Sequence, residues 1–155
     1  MSILIYLIAI AIFTILDQLS KYHIVQSLKL SERITVIKDF FYITHVRNYG
    51  AGFSIFQNAR LFLSLVSILA ITVLMYMLIT YKKKNTFTSI SFIMVIAGAL
   101  GNLIDRLKHG YVTDFLDFKI FGYDFPVFNV ADCFITVGCF FLIIISLFDN
   151  KNAKN

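Results

Sequence analysis

Four acidic residues lie inside or against apolar segments of this chain: Asp17, Asp105, Asp114 and Asp132. A carboxylate at membrane depth is costly unless it faces a bundle interior or a cavity, and by default it marks a functional site. Two carboxylates held close in a poorly solvated place cannot both ionise cheaply, so they share a proton and titrate as a pair. The ionised member can take a proton from water, and the protonated member can give one to a carbonyl oxygen. That is the chemistry of peptide-bond hydrolysis. The hydroxyls, Ser20 and Ser54 among them, have no clear histidine partner, so no serine triad is expected. There is no His-Glu-x-x-His, and Cys133 and Cys139 form no paired ligand motif, so no metal is expected. The two cysteines point in different directions on one predicted helix, which argues against a disulfide.

The elements that must position these groups are membrane helices. The chain is 155 residues long, 59% hydrophobic and 15% charged, with 17 Phe, and its mean hydropathy is +0.80. That is far more apolar than a soluble domain, and the length suits one domain over 1–155. Apolar stretches run over Ser2–Leu16, Leu61–Tyr81, Phe87–Ile104 and Phe134–Phe148. The second and third meet the requirement of about 20 residues, with a lower limit of about 17, for a spanning helix. The first and fourth reach it by absorbing Asp17–Val25 and Phe128–Cys133, which brings an acid into each. The first stretch lacks a basic leader and a small-x-small cleavage pattern, so it reads as a retained helix. Residues 82–86 form a short helix–helix turn. Residues 22–60 contain Ile34–Val36 and Phe41–Val46, whose period-two alternation predicts strands on the membrane surface. Residues 107–127, punctuated by Gly110, Gly122 and Pro126, read as a second surface loop on the same side.

With antiparallel helices, the polar residues converge at one membrane surface. Asp17 and Lys21 are i,i+4 with the acid first, the favourable order for a pair. Asn102, Asp105 and Arg106 share one face near the end of the third helix, where Gly98 and Gly101 allow close helix approach. Asn129, Asp132 and Thr136 form a stripe opening the fourth. The net charge of +5 is spread over loops with no basic helix, so it suits anionic lipid rather than nucleic acid. It leaves orientation open: Lys82–Lys84 and the lysines of the tail favour cytoplasmic ends, but the first long connection is also basic.

The residues resemble the prolipoprotein signal peptidases, the type II signal peptidases. Asp17-Gln-Leu-Ser-Lys21, Arg47-Asn-Tyr-Gly-Ala-Gly-Phe-Ser54, Gly98–Arg106, Val112-Thr-Asp-Phe115 and Phe128-Asn-Val-Ala-Asp132 occur in the family's order over essentially the whole chain. Gly52 replaces the family's usual second alanine, a departure that touches one loop contact and not the chemistry. The resemblance implies an all-α membrane protein with four transmembrane helices, a small extracytoplasmic β-cradle and a second surface loop. Both termini would be cytoplasmic, with the site near the outer face of the bacterial cell membrane. It implies an aspartic endopeptidase with Asp114 and Asp132 as the catalytic pair. Asn48, Gly50, Asn129, Arg106 and Asn102 would bind or position substrate, and Asp17, Lys21 and Asp105 would form a structural polar network. Its substrate would be a diacylglyceryl-modified prolipoprotein, cut before the lipid-modified cysteine. It also implies contact with membrane lipid, inhibition by globomycin-type compounds, and no cofactor.

Without the resemblance, plainer readings of the same residues stay open. Asp114 reads equally as a solvated loop acid, and Asp132 as a helix cap. Arg106 reads as a clamp on a carboxylate or on loop carbonyls. Asp117, Asp124, His23, His45 and His109 read as solvated or interfacial, and Gly50 and Gly52 as a flexible turn. A proton-coupled transporter would place its charges at mid-membrane in broken helices, whereas here they gather at helix ends. A non-catalytic assembly partner has no need of two such acids. The Gly-x-Gly-Asp of presenilin-like enzymes is absent.

Overall fold

The structure, a computed structural model, describes residues 3–51, 55–81 and 85–152. Four helices dominate it: α1 (Ile3–Ser27), α2 (Arg60–Thr80), α3 (Thr86–His109) and α4 (Val130–Asn152). All four contain stretches long and apolar enough to cross a membrane. α1 and α4 reach that length by continuing through Asp17 and by starting at Val130, as the sequence anticipates. α3 is the central helix and packs against the other three. Residues such as Ile8, Leu65, Leu69 and Phe140 point outward from the flanking helices, where lipid tails replace water as the solvent.

The bundle is dry at one end and polar at the other. Tyr6, Ile10, Leu78, Phe92, Ile93, Ile96 and Ala97 form the buried apolar cluster. Asp17, Lys21, Asn102, Asp105 and Asn129 are buried toward the opposite end. Local chemistry fixes the ends of α3. The Asn85 side chain accepts from the Thr88 N–H at 2.8 Å, a standard N-cap. Gly110 closes the helix in the left-handed region at φ +84°, a conformation that costs glycine little. Gly98 and Gly101 act through space rather than flexibility. A Cβ on Gly98 would strike the Ala131 carbonyl, and one on Gly101 would strike the Asp17 carboxylate.

At the polar end lies a four-stranded antiparallel sheet of order β1-β2-β3-β4. β1 (Arg33–Ile37) and β2 (Phe41–Asn48) come from the first connection; β3 (Val112–Ile120) and β4 (Tyr123–Asp124) come from the second. The excursion expected to be a second surface loop therefore supplies two of the four strands of the expected cradle. β3 pairs with β2 and turns at Phe121-Gly122, both at positive φ, the requirement of a two-residue hairpin turn. Two residues expected to be solvated or interfacial are buried here. Asp117 pairs with Arg33 at 2.9 Å, and the His45 ring meets the Leu28 carbonyl at 3.0 Å through Nδ1. The short turn at 82–86 and the Gly52 contact lie wholly or partly outside the described residues.

Candidate active site

β3 delivers Asp114 and the first turn of α4 delivers Asp132. The chain between them runs out along β3, through the hairpin, and back to Phe128. There the Leu116 and Phe128 backbones exchange hydrogen bonds at 2.8 and 3.1 Å, which pins the start of α4 to the strand. Asn129 is the N-cap of α4. Its Oδ1 accepts from the Asp132 N–H at 3.0 Å, and its own N–H donates to Asp132 Oδ2 at 3.2 Å. This is a reciprocal capping box, with the candidate catalytic acid at its third position. The remaining Asn129 group, Nδ2, donates to Asp114 Oδ1 at 2.5 Å. One asparagine thus holds both carboxylates.

The other two carboxylate oxygens have donors of their own. Asn48 Nδ2 donates to Asp114 Oδ2 at 2.9 Å, and Asn102 Nδ2 donates to Asp132 Oδ1 at 2.8 Å. Asn48 reaches Asp114 because of a bulge. The β2–β3 register slips between Ile43 and Val46, so Val46 faces Asp114 and Asn48 faces Val112. In an unbulged ladder continuing from Ile43, Arg47 would face Val112 and occupy the face that Asn48 now takes.

A buried ionic layer supports this pair from below. Lys21 Nζ lies 2.9 Å from Asp17 and 3.1 Å from Asp105. Asp17 Oδ1 accepts the Ala131 N–H at 2.9 Å, so an acid on α1 satisfies a free amide in the first turn of α4. Asp105 Oδ2 accepts the Thr113 N–H at 3.1 Å, fixing the residue before Asp114. Arg106 Nη2 donates to the Gly50 carbonyl at 3.1 Å, so it holds the loop after β2. Gly50 is needed there for close approach, because a Cβ would lie 2.6 Å from the Ile55 carbonyl oxygen.

Both aspartates open on a cavity of about 500 Å³ whose other walls include Phe128, Ile135 and Val137. A smaller one of about 170 Å³, lined by Arg47 and Gln57, meets Asp114 from the sheet side. Asp114 is 2% exposed. Its burial, and next the negative charge of Asp132, push its pKa up to about 7, against the opposing pull of Asn48 and Asn129. A carboxyl with this pKa keeps a proton available near neutral pH.

The site residues anticipated from the sequence all gather here: Asp114 and Asp132 at the cavity, Asn48, Asn102 and Asn129 on their oxygens, and Arg106 and Gly50 at the adjoining loop. Asn48, Gly50 and Asn129 contact the carboxylates or the adjoining loop, and Asn48 also lines the cavity. Sequence reasoning missed Gln18, whose Nε2 donates to Asp105 Oδ1 at 2.9 Å and to the Gly101 carbonyl at 3.2 Å. Its place between Asp17 and Lys21 was the available signal.

Four spanning helices, with a small sheet and a carboxylate pair at the polar end, make this a multi-pass integral membrane protein. A solved structure described as a bacterial membrane enzyme, at 2.3 Å, superposes with a TM-score of 0.89 at 38% identity over 97% of this chain and 92% of that one. A second, described in the same words at 1.9 Å, gives 0.83 and 38% over 94% of each. The chain belongs to the signal peptidase II family, whose model, described as "Signal peptidase (SPase) II", matches residues 8–148. A lipoprotein signal peptidase of Staphylococcus carnosus (strain TM300) is 40% identical over 154 residues, covering 96% of this chain and 97% of that protein. One of Staphylococcus aureus is 40% identical over 149 residues, covering 96% and 91%.

Proposed function

We propose that this protein is an intramembrane aspartic endopeptidase that removes the signal peptide from diacylglyceryl-modified prolipoproteins, cutting before the lipid-bearing cysteine. The observation that carries the reading is the Asp114–Asp132 pair. Two carboxylates face one largely apolar cavity, and every carboxylate oxygen is held by an N–H donor. Family membership supports the substrate class.

In this mechanism the pair shares one proton, carried at the start of the cycle by Asp114, whose pKa burial raises. Asp132, ionised, removes a proton from water as the water oxygen bonds to the scissile carbonyl carbon. Asp114 gives its proton to the carbonyl oxygen. The tetrahedral intermediate then collapses: the C–N bond breaks, the nitrogen takes the proton from Asp132, and the hydroxyl proton returns to Asp114. One water is consumed and the pair regains its starting state. The four N–H donors keep both carboxylates in place through the cycle, so little reorganisation is needed. Acyl chains in the apolar cavity contribute about 0.8 kcal/mol per buried methylene, and that binding can hold the peptide bond over the pair.

The same reading places both termini in the cytoplasm and the sheet on the outer face, where modified prolipoproteins emerge. Inhibition by globomycin-type compounds fits a site occupied by a lipid-bearing peptide. The test is to incubate purified protein with a diacylglyceryl-modified prolipoprotein and with its unmodified form, following products by mass. Release of an intact signal peptide from the modified form alone is expected; equal cleavage of both forms would remove the lipid from the recognition.

A further inference from the structure

Behind the carboxylate pair a buried hydrogen-bond chain begins at a cation. Lys21, 3% exposed, directs its ammonium at Asp17 (2.9 Å), Asp105 (3.1 Å) and Asn102 Oδ1 (2.9 Å). An ammonium has three donors and no acceptor, and here each donor meets a different oxygen. Asn102 passes the interaction on, with its Nδ2 donating to Asp132 Oδ1 at 2.8 Å. Asn129 Nδ2 also donates to Asn102 Oδ1, at 3.3 Å, so two donors converge on that oxygen.

A side-chain amide has nearly the same shape in its two flipped states, so packing alone does not choose between them. The flipped Asn102 would set its NH2 against the Lys21 ammonium and its oxygen against the Asp132 carboxylate. Both contacts would be repulsive. The cation therefore has a role besides balancing Asp17 and Asp105. We infer that Lys21 is a positioning residue for catalysis: acting through Asn102, it turns the amide N–H toward Asp132 and polarises it. Chained hydrogen bonds in a low-dielectric interior strengthen one another, and this chain ends on the carboxylate assigned to activate water. The inference rests on the reading of Asp114 and Asp132 as the catalytic pair.

The experiment is a double-mutant cycle on kcat and KM with diacylglyceryl-modified prolipoprotein, run at a temperature where thermal melts show every variant folded. Lys21→Met and Asn102→Leu should each lower kcat about tenfold or more, the scale on which supporting partners act at metal sites, with KM unchanged. Their combination should be no slower than the slower single variant, because both cut one chain. Losses that multiply, or a normal kcat in Lys21→Met, would overturn the inference and leave Lys21 a structural counter-ion. If Lys21→Met does not fold, the comparison moves to Asp105→Asn with and without Lys21→Met, which removes buried charge of both signs. The same further loss of kcat on adding Lys21→Met is then expected, and its absence overturns the inference. Asp132→Asn on the same substrate separates the two levels. Normal turnover there defeats the dyad reading itself, whereas a dead Asp132→Asn beside a normal Lys21→Met defeats only the role of Lys21.

Discussion

At the scale of single residues, Asp114 is where pH acts. Its pKa of about 7 means the proton that the mechanism needs leaves as pH rises through that value. We predict that kcat/KM falls on the alkaline side of about pH 7; a profile of kcat/KM flat to pH 9 would contradict the assignment. Stability moves the same way. The folded protein binds this proton more tightly than the unfolded chain, whose ordinary value is 3.8. The Asp114 contribution is therefore complete below that value and declines as pH rises through about 7. Asn129 offers a second test, because it both caps α4 and holds Asp114. Asn129→Ala should lower stability by about 1 kcal/mol through the lost cap. It should also lower kcat about tenfold to a hundredfold, since Asp114 loses the donor that stabilises it once it has given its proton to the carbonyl oxygen. Asn129→Ser keeps a capping oxygen but not the amide donor. It should recover most of the melting temperature and little of the rate; recovery of both would make Asn129 a cap only.

At the scale of elements, the positions of Asp114 and Asp132 depend on how closely α3 meets α4 and on the slip in the β2–β3 ladder. Gly98→Ala should destabilise by about 1–3 kcal/mol, because the added methyl collides with the Ala131 carbonyl. It should also cut activity, since Ala131 adjoins Asp132. Gly122→Ala, at the hairpin tip with nothing near a Cβ, should cost about 1–2 kcal/mol through its positive φ and leave kcat unchanged. Equal kinetic loss in both would detach the helix contact from the chemistry. The close contact at Gly98 and Gly101 was legible in the sequence, because small residues on one helix face have few other uses. The strand at Val112–Ile120 was not. Its partner is β2, far away along the chain, and the glycines and proline around it carry a loop signal. The burial of Asp117 and His45, expected to be solvated or interfacial, was illegible for the same reason: Asp117 is buried by the Arg33 pair across the sheet, and His45 by the end of α1. Neither neighbour is close in sequence.

At the scale of the whole molecule, the hydropathy pattern made all four helices legible, and the convergence of Asp17, Asp105 and Asp132 followed from antiparallel packing. The pairings within that layer were not. Asp17 capping α4 and Lys21 reaching Asn102 depend on side-chain geometry between helices, and i,i+4 spacing conveys only the Asp17–Lys21 contact. Sidedness is the property that charge counting left open. In a background lacking Cys133 and Cys139, Ser31→Cys should react with an impermeant thiol reagent in intact cells, and Asn152→Cys only after the cells are opened. The reverse pattern would put the carboxylate pair on the cytoplasmic side. The central claim is that Asp114 and Asp132 together hydrolyse the peptide bond, and the most direct measurement is single-turnover cleavage of diacylglyceryl-modified prolipoprotein by Asp114→Asn and Asp132→Asn. Asparagine is nearly isosteric with aspartate but cannot carry the shuttled proton. Both variants should therefore fold and bind the lipidated substrate yet release no signal peptide; near-normal cleavage by either would contradict the account.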